Sequence, residues 1–170
     1  MKLVAVTFTL LFFIVACSST QDKNESKQTD YKLEINNLLD KWHKDAADTN
    51  LEDYFSLMHE DFVFIGTDGT EYWNKTEFRK FCTPYFEQGQ AWDFKTLKRN
   101  IYISSDKNTV WFDEVLEAGL GPCRGSGVFE KVDGKWFIQQ YVLSMLVPNE
   151  DVKEVLEVKR VEDSAFLVKL

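Results

Sequence analysis

Two carboxylates stand side by side, Asp113 and Glu114, within the extended-looking stretch 109–118 (TVWFDEVLEA). Neighbours in a strand point to opposite faces, so one of the two turns toward the interior. A carboxyl in an aromatic-lined hollow is desolvated, which raises its pKa toward the range a general base needs. The competing reading is an ion pair with Arg124 on the following strand, and this pairing is preferred. Arg124 sits among Gly121, Gly125 and Gly127, which leave room for a close approach. Its planar fork can also clamp a ligand carboxylate through two hydrogen bonds. Asp113, Glu114 and Arg124 are therefore the candidate catalytic groups.

The other reactive side chains carry less. His59 lies in Met58-His59-Glu60-Asp61, where a surface cap or salt-bridge role is expected, and His43, beside Trp42, is expected to be exposed. Cys82 and Cys123 read as buried free thiols packing as small hydrophobes, with a disulfide as the alternative. No C-x-x-C or H-x-x-x-H spacing occurs, so neither a metal nor a cofactor is expected.

Cys17 is different because of what precedes it. After Met1-Lys2 comes an uncharged apolar run over residues 3–16 ending Ile14-Val15-Ala16. That run is shorter than the roughly 20 residues that span a hydrocarbon core and has the length of a secretory signal. The ending resembles the lipobox of bacterial lipoproteins, which implies cleavage before Cys17 and lipidation of its thiol. Residues 1–16 are thus expected to be a signal peptide and 17–30 a lipidated Cys with a flexible polar tether. The domain proper is placed at 31–160, followed by a tail over 161–170. The implied location is the cell envelope, with the lipid holding the chain to a bilayer. Ser18, where some retention signals have Asp, favours the outer membrane.

The elements that must position these groups follow from periodicity. Ile35, Leu38, Leu39, Trp42 and Ala46 recur at helical spacing. Asn50 precedes a short second helix with Leu51, Tyr54, Phe55 and Met58 on one face. Residues 62–65 read as a strand turning at Asp68-Gly69 into 71–73. Asn74-Lys75-Thr76-Glu77 has capping-box form and opens a third helix. Four longer strands follow, over 92–104, 109–118, 123–131 and 136–145, with Asp133-Gly134 as a hairpin turn. Residues 150–160 read as a short acidic helix. Helices first and strands after argue for an α+β domain with a curved antiparallel sheet folded over three helices.

Composition narrows the partners. Of 170 residues, 44% are hydrophobic and 15% aromatic, enough for one core. With 20 basic and 28 acidic residues the net charge is −8, and loss of Lys2 with the signal segment moves it to −9. Such a chain is repelled by phosphate backbones, which excludes nucleic acid as an expected partner.

The element order, with Phe62-Val63-Phe64-Ile65-Gly66-Thr67-Asp68, Trp111-Phe112-Asp113-Glu114, the run Gly121 to Val128 and the run Trp136 to Tyr141 reaching Val147-Pro148-Asn149, resembles the SnoaL-like group of the nuclear transport factor 2-like superfamily. That resemblance covers roughly residues 32–158. It implies a cone-shaped sheet, an internal cavity and a homodimer, but no single activity, since similar domains include isomerases, dehydratases and binding modules. On the last strand Gln140, Val142 and Ser144 share a face taken as concave; none is a base at neutral pH, which favours a binding role. Trp73, Trp111, Arg124 and Gln140 are the expected ligand-binding residues, for a small apolar or amphipathic molecule.

Overall fold

The computed structural model describes the backbone of residues 18–170 and side chains from Asp30. The signal segment and Cys17 lie outside the described residues. Helix α1 (Ser18–Ala47) presents Ile35, Leu39, Trp42 and Ala46 as one fully buried stripe. It takes in the segment 18–30 expected as a tether, where Glu, Lys and Gln, good helix formers, extend it upstream of its packed part. A short α2 (Leu51–Ser56) buries Tyr54 and Phe55, and Asn50 caps it without a side-chain hydrogen bond. The hairpin β1 (Met58–Ile65) and β2 (Tyr72–Asn74) leads into α3 (Lys75–Glu87). There Asn74 and Glu77 form the expected capping box: the Asn74 side chain accepts from the Glu77 N–H at 3.0 Å, and Glu77 accepts from the Asn74 N–H at 3.0 Å.

Strands β3 (Lys95–Ile103), β4 (Thr109–Ala118), β5 (Gly121–Val132) and β6 (Lys135–Met145) form a meander. The β5–β6 turn places Asp133 and Gly134 at φ +49° and +80°, the left-handed pair that a two-residue hairpin loop requires. The six strands run in the order β2-β1-β6-β5-β4-β3 in one unclosed, curved sheet, so the α+β expectation holds. One junction departs from it: β1 pairs with β6 in parallel. The reason is chain path, because β1 enters the sheet before α3 and the whole meander separates it from its neighbour.

Helices α1 to α3 cover the inner face of this sheet, and their shared core contains Phe62, Phe78, Phe112, Leu116, Phe129, Ile138 and Tyr141. After a 3-10 turn over Asn149–Asp151, helix α4 (Val152–Leu167) continues past the expected end of the domain at 160. It buries no residue fully, and its Phe166 ring rests over Gly69 in the β1–β2 turn.

Candidate functional site

Strand β4 alternates strictly, with Val110, Phe112, Glu114 and Leu116 buried. This settles the two carboxylates: Glu114 faces inward at 0% exposure, and Asp113 lies on the outer face, where Asn100 donates to it at 2.9 Å. The partner of Glu114 is not Arg124. Arg124 is in register with Val115 on the outer face, is exposed, and forms no ion pair among the described residues. Arg99, directly opposite Glu114 on β3, takes that role.

Three donors surround the Glu114 carboxylate. His43 Nε2 lies 2.8 Å from Oε1, and the Tyr141 hydroxyl donates to the same oxygen at 2.9 Å. Arg99 Nε donates to Oε2 at 2.8 Å, and its Nη1 reaches Asp40 at 2.7 Å and Asn36 at 3.2 Å. Because a carboxylate only accepts, the His43 Nε2 carries a hydrogen. Burial by itself would raise the Glu114 pKa; the hydrogen bond and charge of His43, then those of Arg99, outweigh it and hold the group below its ordinary value. For Tyr141, burial first and the neighbouring Glu114 second push the phenol well above its ordinary value, so it stays a donor. His43 is thus buried, at 5% exposure, rather than exposed as expected. It lies four residues after Leu39 on α1, on the face that meets the sheet.

The Tyr141 ring passes from this cluster into the wall of a cavity of about 480 Å³. The cavity sits between the helices and the inner sheet face, near the β1–β2 turn, the loop after α3 and the β4–β5 turn. Half its wall is aromatic: Trp42, Tyr54, Phe64, Trp73, Phe78, Phe81, Trp92, Phe94 and Tyr141. Several of these rings stack, Phe64 on Phe78 at 4.1 Å and Trp73 on Phe81 at 4.6 Å between centroids. Such a hollow, apolar with a few polar groups at its margin, is the usual form of a small-molecule site.

Of the expected ligand-binding residues, Trp73 lines this cavity and Trp111, Arg124 and Gln140 do not. Trp111 is 47% exposed and stacks on Tyr102 on the outer face. Gln140 was assigned to the wrong face. A register shift between Val128 and Phe129 offsets β5 against β6, so Trp136 and Ile138 face inward but are followed by Tyr141 and Leu143. One extra residue reverses the alternation. Arg99 was missed altogether, although its parity with Ile101 and Ile103 marks the inward face.

Remaining reactive groups are inert by placement. Cys82 and Cys123 are free and fully buried, and burial pushes both thiols up. His59 sits at the surface 3.6 Å from Asp61. Among the described residues no group of His, Cys, Asp and Glu is arranged to hold a metal ion.

Comparison with solved structures places the fold. A nuclear transport factor 2-like protein of unknown function from Pseudomonas putida superposes with a TM-score of 0.59 at 12% identity, covering 72% of this chain and 91% of that one. A second such protein, from Cytophaga hutchinsonii, gives a TM-score of 0.58 at 19% identity over 68% of this chain and 98% of that one. A protein of unknown function with a cystatin-like fold from Nostoc punctiforme gives 0.57 at 15% identity, over 69% and 92%. At these identities the likeness is one of fold. No curated protein matches the chain in sequence. The family model of the SnoaL-like domain matches residues 35–148, which hold α1 from its first buried residue through the whole sheet, and the chain belongs to the SnoaL-like domain family.

Proposed function

We propose that this domain binds a small apolar or amphipathic molecule in its aromatic cavity and is held to a membrane by a lipid on Cys17. The observation that supports binding most is the cavity itself, about 480 Å³ with aromatic rings for half its wall. Acid–base catalysis fits the same groups poorly. The buried Glu114 has both oxygens engaged by three donors and a lowered pKa, whereas a general base needs a free lone pair and a pKa near neutrality. The buried Asp45 is paired with Lys41 and does not line the cavity. The Glu114 cluster is instead a brace that fixes Tyr141 as cavity wall.

The test is a titration of the full chain with lipids and small hydrophobes extracted from its own cells, followed by the fluorescence of Trp42, Trp73 and Trp92. Saturable quenching that Ala118→Trp abolishes supports the reading; an unquenched signal, or quenching equal in the variant, overturns it. Turnover of any such molecule that is lost in Glu114→Gln, with binding kept, would favour an isomerase or dehydratase role instead.

Anchoring rests on the apolar run 3–16 and Cys17, and no helix among the described residues is long and apolar enough to cross a membrane. The proposal includes a location in the cell envelope, on the outer membrane and facing the periplasm or the cell surface. Cys17→Ser should release it from the membrane fraction. A homodimer through the outer sheet face is part of the same proposal, supported by the exposed Tyr102–Trp111 stack.

A further inference from the structure

The chemistry of the cavity wall says more about the ligand than its size does. Among the described residues lining it there is no Lys, Arg or His, and the two charged groups are Glu71 and Asp93. Neither forms an ion pair with another described residue; Glu71 Oε2 accepts only the Asp68 N–H, at 3.2 Å. Two donors of the wall are spent inside the protein. The Trp42 indole N–H donates to the Tyr54 carbonyl at 3.1 Å, and the Tyr141 hydroxyl donates to Glu114. The wall offers π-electron faces, with Glu71 and the exposed Asp93 as its charged residues and no cation.

Aromatic faces attract cations through their quadrupole, and more strongly when water is excluded. A carboxylate ligand would meet the opposite: no cation and two like charges. The chain's net charge of −8 also raises the local concentration of cations around it.

We propose that the cavity selects organic cations: its ligand carries a quaternary or protonated amine on an apolar body, the body lying among the rings and the charge toward Glu71 and Asp93. This rests on the cavity being the ligand site.

The experiment uses two molecules of the same shape, phenyltrimethylammonium and its neutral isostere tert-butylbenzene, titrated against the full chain at fixed ionic strength with indole fluorescence as readout. The cation binds at least fivefold more tightly. Glu71→Gln with Asp93→Asn removes most of that preference and leaves the neutral isostere within twofold. Glu130→Gln with Glu154→Gln, an equal loss of charge away from the cavity, leaves the preference intact. If the isostere binds as tightly as the cation, or the preference survives in the Glu71 and Asp93 double variant, cation selection is overturned and the cavity stands as an apolar site. If neither molecule binds, both this inference and the cavity reading fall.

Discussion

Replacing Glu114 by Gln isolates the contribution of the buried cluster. The substitution keeps the volume and removes one charge from a site at 0% exposure. Arg99, whose side chain is 5% exposed, is left with Asp40, itself largely in solvent, as its remaining carboxylate. Breaking a buried pair on one side costs about 3–5 kcal/mol, because the surviving charge stays desolvated. The new amide adds a mismatch: its N–H₂ must face either Arg99 or the His43 and Tyr141 donors, and a buried donor without an acceptor costs about 1–3 kcal/mol. Relaxation of Arg99 toward Asp40 and Asn36 offsets part of this, so a net loss of about 3–5 kcal/mol is expected. For a domain of this size that lowers the Tm by roughly 10–15 °C. The same group sets an acid limb. The Glu114 pKa is lowered in the folded state, so the unfolded chain takes up its proton first. The stabilisation is therefore complete above the ordinary carboxylate range and is lost as pH falls through that range toward the folded value. Urea unfolding at neutral pH and at successively lower pH, for wild type and Glu114→Gln, reads both effects. The variant should show a flatter acid limb. A loss under about 1 kcal/mol, or parallel pH dependences, would refute the cluster as a charged brace.

Other consequences can be checked separately. A Cβ at Gly125 would lie 2.7 Å from Tyr141 Cζ, nearer still to the hydroxyl, and 3.1 Å from Glu114 Cγ. Gly125→Ala should cost about 1–3 kcal/mol by overpacking, with part recovered in Gly125→Ala/Tyr141→Phe, measured by urea unfolding. Asn74→Ala removes one arm of the capping box and should cost about 1 kcal/mol, with no effect on cavity binding. Cys82 and Cys123 should react with a thiol reagent only at the global unfolding rate, since both are buried with raised pKa values. The proposed homodimer requires that Trp111→Ala shift the chain toward monomer in light scattering and leave ligand affinity unchanged.

Local signals made most of the fold legible before the structure. The capping box at Asn74–Glu77, the Asp133-Gly134 turn and the alternation along 109–118 are short-range chemistry, and each lies where the sequence puts it. The parallel β1–β6 junction was not legible, because it joins segments separated by the whole meander. The site was half legible. Val110, Phe112 and Leu116 have the parity that turns Glu114 inward, and His43 follows Leu39 by four residues. The choice between Asp113 and Glu114 nevertheless stayed open, and for His43 the clue was outweighed by the usual surface preference of an imidazole beside charged neighbours. Gln140 was misplaced for a different reason: a shift in strand register leaves no residue type that marks it. Arg99 sits beside Lys98 in a charged-looking stretch, and only the cross-strand register brings it opposite Glu114.

The central claim, that the aromatic cavity is a ligand site, is tested most directly by native mass spectrometry of the full chain purified gently from its own cells. Wild type should carry a mass beyond that of the chain and of the lipid proposed on Cys17, lost on mild activation, and Ala118→Trp should not carry it. The same mass on the variant, or a bare chain in both cases, would contradict the account.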